Sequence, residues 1–399
     1  MSEMRILGIV AEYDPFHNGH LRHLAEAKKQ VLPDLTYVVL SPCFKQRGGL
    51  SLLSPSDRAR CALEAGADAV FSLPVCWTVR DAEHYALGAV SLLASLGATH
   101  LAFGAETADA ALLSRAADLL ESPVPAFDAV LKERLSAGTG YPAALSAALS
   151  VALPEAAGLL DRPNNTLAVC YLRALRKLNL SVVPVVVPRT GSYHACSVDP
   201  AAPSASALRD SLRRGSYAAA FEAVPAFSAA LLRRRFLDRR IPDETVLDNL
   251  LLARLRGMAP AEYRALPDLS EGMENALRDA ASSVRSRRDL FAVLSGKRYP
   301  AARISRLCAL AMLGVTRTDL EACPLPRGAL LLGLRPHTEM TALWKALPIP
   351  VVSSFTEWKT AAHPADLAAW RLWAQCCRLP DSLPFSEKIV RIPMDRIPE

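Results

Sequence analysis

The stretch Gly8-Ile9-Val10-Ala11-Glu12-Tyr13-Asp14-Pro15-Phe16-His17-Asn18-Gly19-His20 decides how this chain folds. Its apolar start, continuous with Ile6 and Leu7, is expected as a buried strand, because a parallel strand covered on both faces loses the alternation of a half-exposed one. Asp14-Pro15 ends the ladder, since proline has no N–H to give and favours a turn. From Asn18 the period becomes helical: Leu21, Leu24 and Ala25 share one face, while Arg22, Glu26, Lys28 and Lys29 point elsewhere. Asn18 is suited to cap that helix. His17 then sits on the turn and His20 in the first helical turn, where both can face one point.

That placement has a chemistry. Unpaired backbone N–H groups at a helix N-terminus attract phosphate. Gly19 puts no side chain in the way of a nucleotide. Two imidazoles can donate hydrogen bonds to phosphate oxygens as charge develops during displacement at phosphorus. His-x-Gly-His after a first strand resembles the signature of the adenylyl-transferring α/β superfamily, which includes many nucleotidyltransferases and the class I aminoacyl-tRNA synthetases. The bland alternative is two surface histidines beside a helix cap.

At 399 residues the chain is long enough for two or three domains. A hydrophobic content of 51% with 22% charged residues describes an ordinary globular protein. No apolar run approaches the roughly 18–20 residues of a membrane span, and the N-terminus leads straight into the first strand, so no membrane partner and no signal peptide are expected. Nine scattered cysteines without a Cys-x-x-Cys pair fit reduced core residues, a cytoplasmic location and no structural metal site. The net charge of +6 permits a nucleic-acid partner without demanding one. The basic clusters gather after residue 200: Arg213-Arg214, Arg233-Arg234-Arg235, Arg239-Arg240, Arg285 with Arg287-Arg288, and Lys297-Arg298. Each alone is as well explained by a solvated helix face; together they favour RNA.

Strands and helices alternate through the first half, which predicts an α/β fold with a Rossmann-like, mostly parallel sheet completed by a strand over 181–187. Two loops leave strand ends where such sheets bind ligands. One is Ser41-Pro42-Cys43-Phe44-Lys45-Gln46-Arg47-Gly48-Gly49; in it Lys45 and Arg47 can meet phosphates or a carboxylate, or simply be surface. The other is Phe103-Gly104-Ala105-Glu106, where Gly104 allows close approach of an adenine or ribose. Glu106 there suits a hydroxyl, a metal or a helix cap. After residue 200 the pattern turns helical and basic, and from about 324 a small α/β tail follows. The expected organisation is a nucleotide-binding catalytic domain over 1–200, a helical, basic region over 201–323 expected to bind RNA, and a small α/β region over 324–399.

The chain resembles the bacterial tRNA(Met) cytidine acetate ligases, whose opening runs approximately E-Y-N-P-F-H-N-G-H. The resemblance continues through Phe44-x-Gln46-Arg47-Gly48, Phe103-Gly104-x-Glu106, Pro163-Asn164-Asn165, and Arg189-x-Gly191-x-Tyr193-His194. It extends to Ser204-Ala205-Ser206-Ala207-x-Arg209, Glu271-Gly272-Met273-Glu274-Asn275, and Lys297-Arg298-Tyr299 with Arg303-Ile304-x-Arg306. It implies an enzyme that forms acetyl-adenylate from ATP and acetate, with Mg²⁺, and then acetylates N4 of the wobble cytidine of elongator tRNA(Met). Carried over residue by residue, Gly8 through His20 with Leu21, Gly104, Asn164 or Asn165, and Arg189 are expected to bind ATP. His17 and His20 are expected to be catalytic. Lys45, Gln46, Arg47, Arg287, Arg288, Lys297 and Arg298 are candidates for substrate or tRNA contact.

The sequence departs from the family at Asp14, usually Asn, and at Ser41-Pro42-Cys43, usually Ser-Gly-Asn. A carboxylate at position 14 adds negative charge near phosphates, to be offset by Mg²⁺ or Arg189. Two other functions stay open at this point: an adenylyltransferase acting on a small phosphorylated acceptor, and a non-catalytic RNA- or nucleotide-binding homologue. The sequence does not fix the oligomeric state.

Overall fold

The computed structural model describes residues 4–189, 198–200, 203–269, 272–296, 299–336, 338–358, 364–382 and 389–393. Five parallel strands form its centre: β1 (Ile6–Ala11), β2 (Leu35–Leu40), β3 (Ala69–Ser72), β4 (His100–Ala105) and β5 (Val183–Pro188). They lie in the order β5-β4-β1-β2-β3. β1 and β2 run in register from Ile6 opposite Leu35 to Ala11 opposite Leu40. β2 is buried along its whole length, which accounts for its unbroken apolar sequence. From β1 the chain winds to one side through β2 and β3, then returns to place β4 and β5 on the other. The crossovers therefore diverge at β1 and β4 and open a crevice at their carboxyl ends.

The sheet does not end with these five strands. β6 (Ala329–Leu334) pairs antiparallel with β3, and β7 (Val351–Val352) and β8 (Val390–Arg391) pair with β6. The strands expected in a separate tail thus extend the central sheet. The reason is edge protection: without β6, β3 would present a row of unpaired backbone groups. Arg335, itself buried, fastens the junction by donating to the Leu63 carbonyl at 2.9 and 2.7 Å.

The helical region has two separate cores. Leu208, Leu212, Ala220, Ala223 and Leu232 pack on Leu52 and Leu53 of the segment that follows β2, so residues 204–237 press against the ligand end of the sheet. Leu251, Leu255, Leu277, Leu290, Ile304 and Leu307 build a second core from later helices. Among the described residues the cysteines are free, and all but Cys323 are buried. Among the described residues no helix is long and apolar enough to cross a membrane.

Candidate nucleotide site

Beyond β1 the chain turns sharply. Tyr13 takes a left-handed φ of 47° and the Asp14–Pro15 peptide is cis. A left-handed tyrosine costs about 1–3 kcal/mol and persists only where the surroundings hold it. Here its ring meets Phe16 edge-on at 4.7 Å and His20 at 4.9 Å. The helix Asn18–Val31 follows, with His17, not Asn18, at its N-cap, because the backbone is still extended at residue 17. Asn18 instead ties the helix to the helical region: its N–H donates to the Ala223 carbonyl at 3.0 Å and its side-chain amide to that of Glu222 at 3.1 Å.

The two imidazoles stack, centroids 3.6 Å apart and planes 17° from parallel. The His17 backbone N–H donates to His20 Nδ1 at 3.3 Å. That nitrogen is therefore the acceptor, and a neutral His20 carries its proton on Nε2. Both ring nitrogens of His17, and Nε2 of His23, are buried without a hydrogen-bond partner among the described residues. Burial first, then Arg189, Arg22 and Arg209, holds His17 down at about 3. Burial and Arg189 hold His23 down at about 4. His20 is held well below its ordinary value by burial, His17 and Arg189. All three are neutral at pH 7, each with one donor and one acceptor nitrogen. A Cβ at Gly19 would lie 3.0 Å from His17 Cε1, so the ring would have to give by a few tenths of an ångström.

A cavity of about 960 Å³ opens above this turn, a size suited to a nucleotide. Its wall includes Ile9, Val10, Ala11, Glu12, Tyr13, Asp14, His17, Gly19, His20, Gly104, Asn164 and Arg189, as expected, and also Gln46 and Arg47. Other expected contacts stand behind the wall. Gly8 faces Leu93 and Ala98, on the helix Ala82–Ser95 and the turn after it. Pro15 and Phe16 are buried, Leu21 packs on the core, and Asn18 is tethered as described. Arg22, His23, Tyr85, Tyr171 and Arg209 line the cavity without having been assigned a role. For His23 the signal was present: it follows His20 by three residues, on one helical face.

The wall across from the histidines is organised by Glu106. Its Oε1 accepts from Asn164 Nδ2 at 2.5 Å, and its Oε2 from the Asn165 N–H at 2.8 Å. Asn164 Oδ1 in turn accepts from Arg189 Nη1 at 3.2 Å. Asn165 turns inward, exchanging hydrogen bonds with Thr107 at 2.9 Å. Of the two asparagines, Asn164 faces the cavity. Glu106 caps the helix Pro163–Lys177. Gly191, Tyr193 and His194 lie outside the described residues.

A family model described as HIGH Nucleotidyl Transferase matches residues 4–379. A tRNA(Met) cytidine acetate ligase of Halalkalibacterium halodurans is 33% identical over 363 residues, covering 88% of this chain and 87% of its own. The ligase of Acetivibrio thermocellus is 30% identical over 403 residues, covering 94% and 96%. The chain belongs to the tRNA(Met) cytidine acetate ligase family. Its fold agrees: the crystal structure of Thermotoga maritima TmcAL in the apo form superposes with a TM-score of 0.90 at 26% identity, covering 98% of this chain and 100% of that one. TmcAL bound with alpha-thio ATP superposes at 0.88.

Within this ligase the two departures from the family pattern have specific surroundings. Asp14 is not offset by Arg189. Its Oδ2 lies 3.2 Å from Lys45 Nζ and 3.6 Å from Arg209 Nη1, and its Oδ1 accepts from the Leu52 N–H at 2.7 Å. Lys45, expected to face substrate, is instead held under the turn by Asp14 and by the Leu50 carbonyl at 2.5 Å. Gln46 anchors the loop through Glu12 at 2.8 Å and the Arg80 carbonyl at 2.6 Å. Arg58, fully buried, donates to the carbonyls of Glu12, Ser41, Pro42 and Leu53. It fastens the altered Ser41-Pro42-Cys43 segment to the end of β1.

The basic residues of the ligase's second half divide. Arg287 directs its guanidinium to Glu244 and Asp248, and is half-buried. It is an internal strut. Arg288 is exposed. Lys297 and Arg298 lie outside the described residues.

Proposed function

We propose that this enzyme forms acetyl-adenylate from ATP and acetate, and transfers the acetyl group to N4 of the wobble cytidine of elongator tRNA(Met). One observation carries the reading: neutral, stacked His17 and His20, the first with both ring nitrogens unpartnered among the described residues, line a nucleotide-sized cavity together with Arg189 and Arg209. Two helix N-termini reach the same cavity, at Gly19 and at Ser204–Ser206, and each favours negative charge.

An acetate oxygen attacks the α-phosphorus while its bond to the pyrophosphate oxygen breaks. His17 and His20 donate to the oxygens on which charge grows, and Arg189 and Arg209 offset the leaving pyrophosphate. N4 of cytosine then attacks the acetyl carbonyl, the bond to AMP breaks, and the nitrogen loses a proton. A wobble base must be splayed from its loop to enter such a site. Among the described residues no three His, Cys, Asp or Glu side chains converge to hold a metal. Asp14 is spent on Lys45, and Glu12 on the Gln46 N–H. Mg²⁺ would therefore be held by the nucleotide's phosphates and water.

The test is ATP–pyrophosphate exchange with and without acetate, beside acetyl transfer to tRNA(Met). Exchange that requires acetate but not tRNA is the expected result. Pyrophosphate release that requires a small phosphorylated acceptor, with no response to acetate, overturns the reading.

A further inference from the structure

Gly48 brings the loop after β2 into backbone contact with the second helical core. Its φ of 81° is left-handed, and a Cβ there would lie 2.5 Å from the Ser305 carbonyl oxygen and 2.6 Å from the Arg306 nitrogen. Only glycine allows that approach. Arg47, on the wall of the nucleotide cavity, is thereby set beside the first turns of the helix Ala301–Leu313, which carry Arg303 and Arg306. Arg303 lies 5.4 Å from the centroid of the Tyr299 ring and donates to the Asp268 carbonyl. Arg306 Nε is buried with no hydrogen-bond partner among the described residues.

Two acids stand in this neighbourhood, Asp81 and Asp268. Asp81 is committed elsewhere: Oδ1 caps the next helix at the Glu83 and His84 N–H groups, and Oδ2 meets His84 Nδ1 at 2.7 Å. Asp268 receives Arg303 through its backbone oxygen. Arg47, Arg303 and Arg306 therefore gather beside an aromatic ring, next to a cavity lined by Arg189, Arg209 and two helix N-termini.

We propose that Arg47, Arg303 and Arg306, with Tyr299, bind the sugar–phosphate backbone of a single-stranded RNA segment at the mouth of the nucleotide cavity, holding the strand whose base enters it. The inference rests on the ligase reading above and locates its RNA subsite. Planar guanidinium groups match phosphate, and an adjacent aromatic face takes an unstacked base. A buried N–H left open at the rim is the donor that such a backbone would satisfy.

The experiment measures binding of a tRNA(Met) transcript to the full-length protein at several salt concentrations, for wild type, Arg303→Ala, Arg306→Ala and Arg306→Lys. Each alanine variant should weaken binding on the order of tenfold and lower the slope of log affinity against log salt by about 1. Arg306→Lys keeps the charge and should keep the slope; Arg303→Ala carries the test if Arg306→Ala does not fold. Folded alanine variants with wild-type affinity and slope overturn the proposal. So does a fall in tRNA-free, acetate-dependent exchange as large as the fall in affinity, since the residues would then serve adenylation. If wild type itself shows no acetate-dependent exchange, the ligase reading fails, and the affinity series still decides the rim. If wild type binds no tRNA, both fall.

Discussion

Asp14 and Lys45 meet at 3.2 Å beneath the histidine turn, a carboxylate and an ammonium group both almost wholly removed from water. Burial pushes the Asp14 carboxyl up, but Lys45, Arg209 and Arg58 outweigh it and hold it below its usual range. Burial pulls Lys45 down to about 8 in spite of Asp14. Both groups are thus charged at pH 7. The carboxylate that replaces the family's amide comes with a cation at the one position the Phe44-x-Gln46 pattern leaves open, and that cation offsets the added charge.

This pairing predicts a non-additive cycle. Asp14→Asn leaves Lys45 buried without its nearest counter-charge and should cost about 3 kcal/mol, the low end for a broken buried pair. Adding Lys45→Met should return most of that loss. Denaturant midpoints of the two single variants and the double variant check it. Single losses that simply add in the double variant would mean the residues do not act as a pair.

His17→Ala and His20→Ala should each slow adenylation by on the order of 10²–10³, about 2.7–4 kcal/mol, the loss typical of one transition-state donor. Stability should hold for His17→Ala, because both His17 nitrogens are already buried without partners. Acetate-dependent exchange, measured beside thermal midpoints, tests both. Wild-type exchange in either variant removes that histidine from the chemistry.

The same imidazoles make stability depend on pH in a stated direction. Their folded values are depressed, to about 3 for His17 and about 4 for His23. As pH falls below about 6.5 the unfolded chain therefore takes up protons that the folded one refuses, and stability drops. In His17→Asn one such site is gone. Between pH 6 and 4.5 its unfolding free energy should fall less steeply than that of wild type, by up to about 1.4 kcal/mol per pH unit. Identical slopes would show that His17 protonates freely in the fold.

The parts of this architecture legible in the sequence are those specified locally. The strand, the proline-ended turn and the change to helical period lie within a few residues of one another, so β1 and the histidine pair could be placed from residues 6–29 alone. β6 was recognisable as an apolar run, but its neighbour, β3, lies far back in the chain, and periodicity carries no record of partners. Charged residues misled for a related reason. Lys45 and Arg287 look like surface in a sequence, yet each is held by acceptors from distant segments. Asn164 and Asn165 are adjacent, and only the helix start at Pro163 decides which one faces the cavity.

Glu106→Gln should raise the KM for ATP more than it lowers kcat. A glutamine offers one acceptor oxygen where the carboxylate serves both the Asn164 amide and the Asn165 N–H. Asn164 would then hold Arg189 less firmly. A rise of about tenfold in KM corresponds to about 1.4 kcal/mol, against a capping loss of about 0.5–2 kcal/mol in stability. Exchange kinetics at varied ATP separate the two. A loss of stability with an unchanged KM would reduce Glu106 to a helix cap.

Arg287 and Arg288, adjacent in sequence, should respond to charge reversal in opposite ways. Arg287 joins the helix that begins at its own position to the helix Glu244–Gly257 through Glu244 and Asp248, and Glu244 also receives Arg213. Arg287→Glu would set a third carboxylate beside those two and remove their shared cation. The expected cost is about 1–3 kcal/mol, because the pair is only partly screened by water. Any loss of RNA binding in that variant follows from the damaged fold. Arg288 is exposed, so Arg288→Glu should leave the melting temperature unchanged. If the exposed basic face meets tRNA, its affinity should fall and its salt slope decrease by about 1, since one fewer counterion is released. Thermal midpoints and tRNA titrations at two salt concentrations, run on both variants, decide the matter. A stable Arg287→Glu variant would contradict the strut, and wild-type affinity and slope in Arg288→Glu would move the RNA footprint away from this helix.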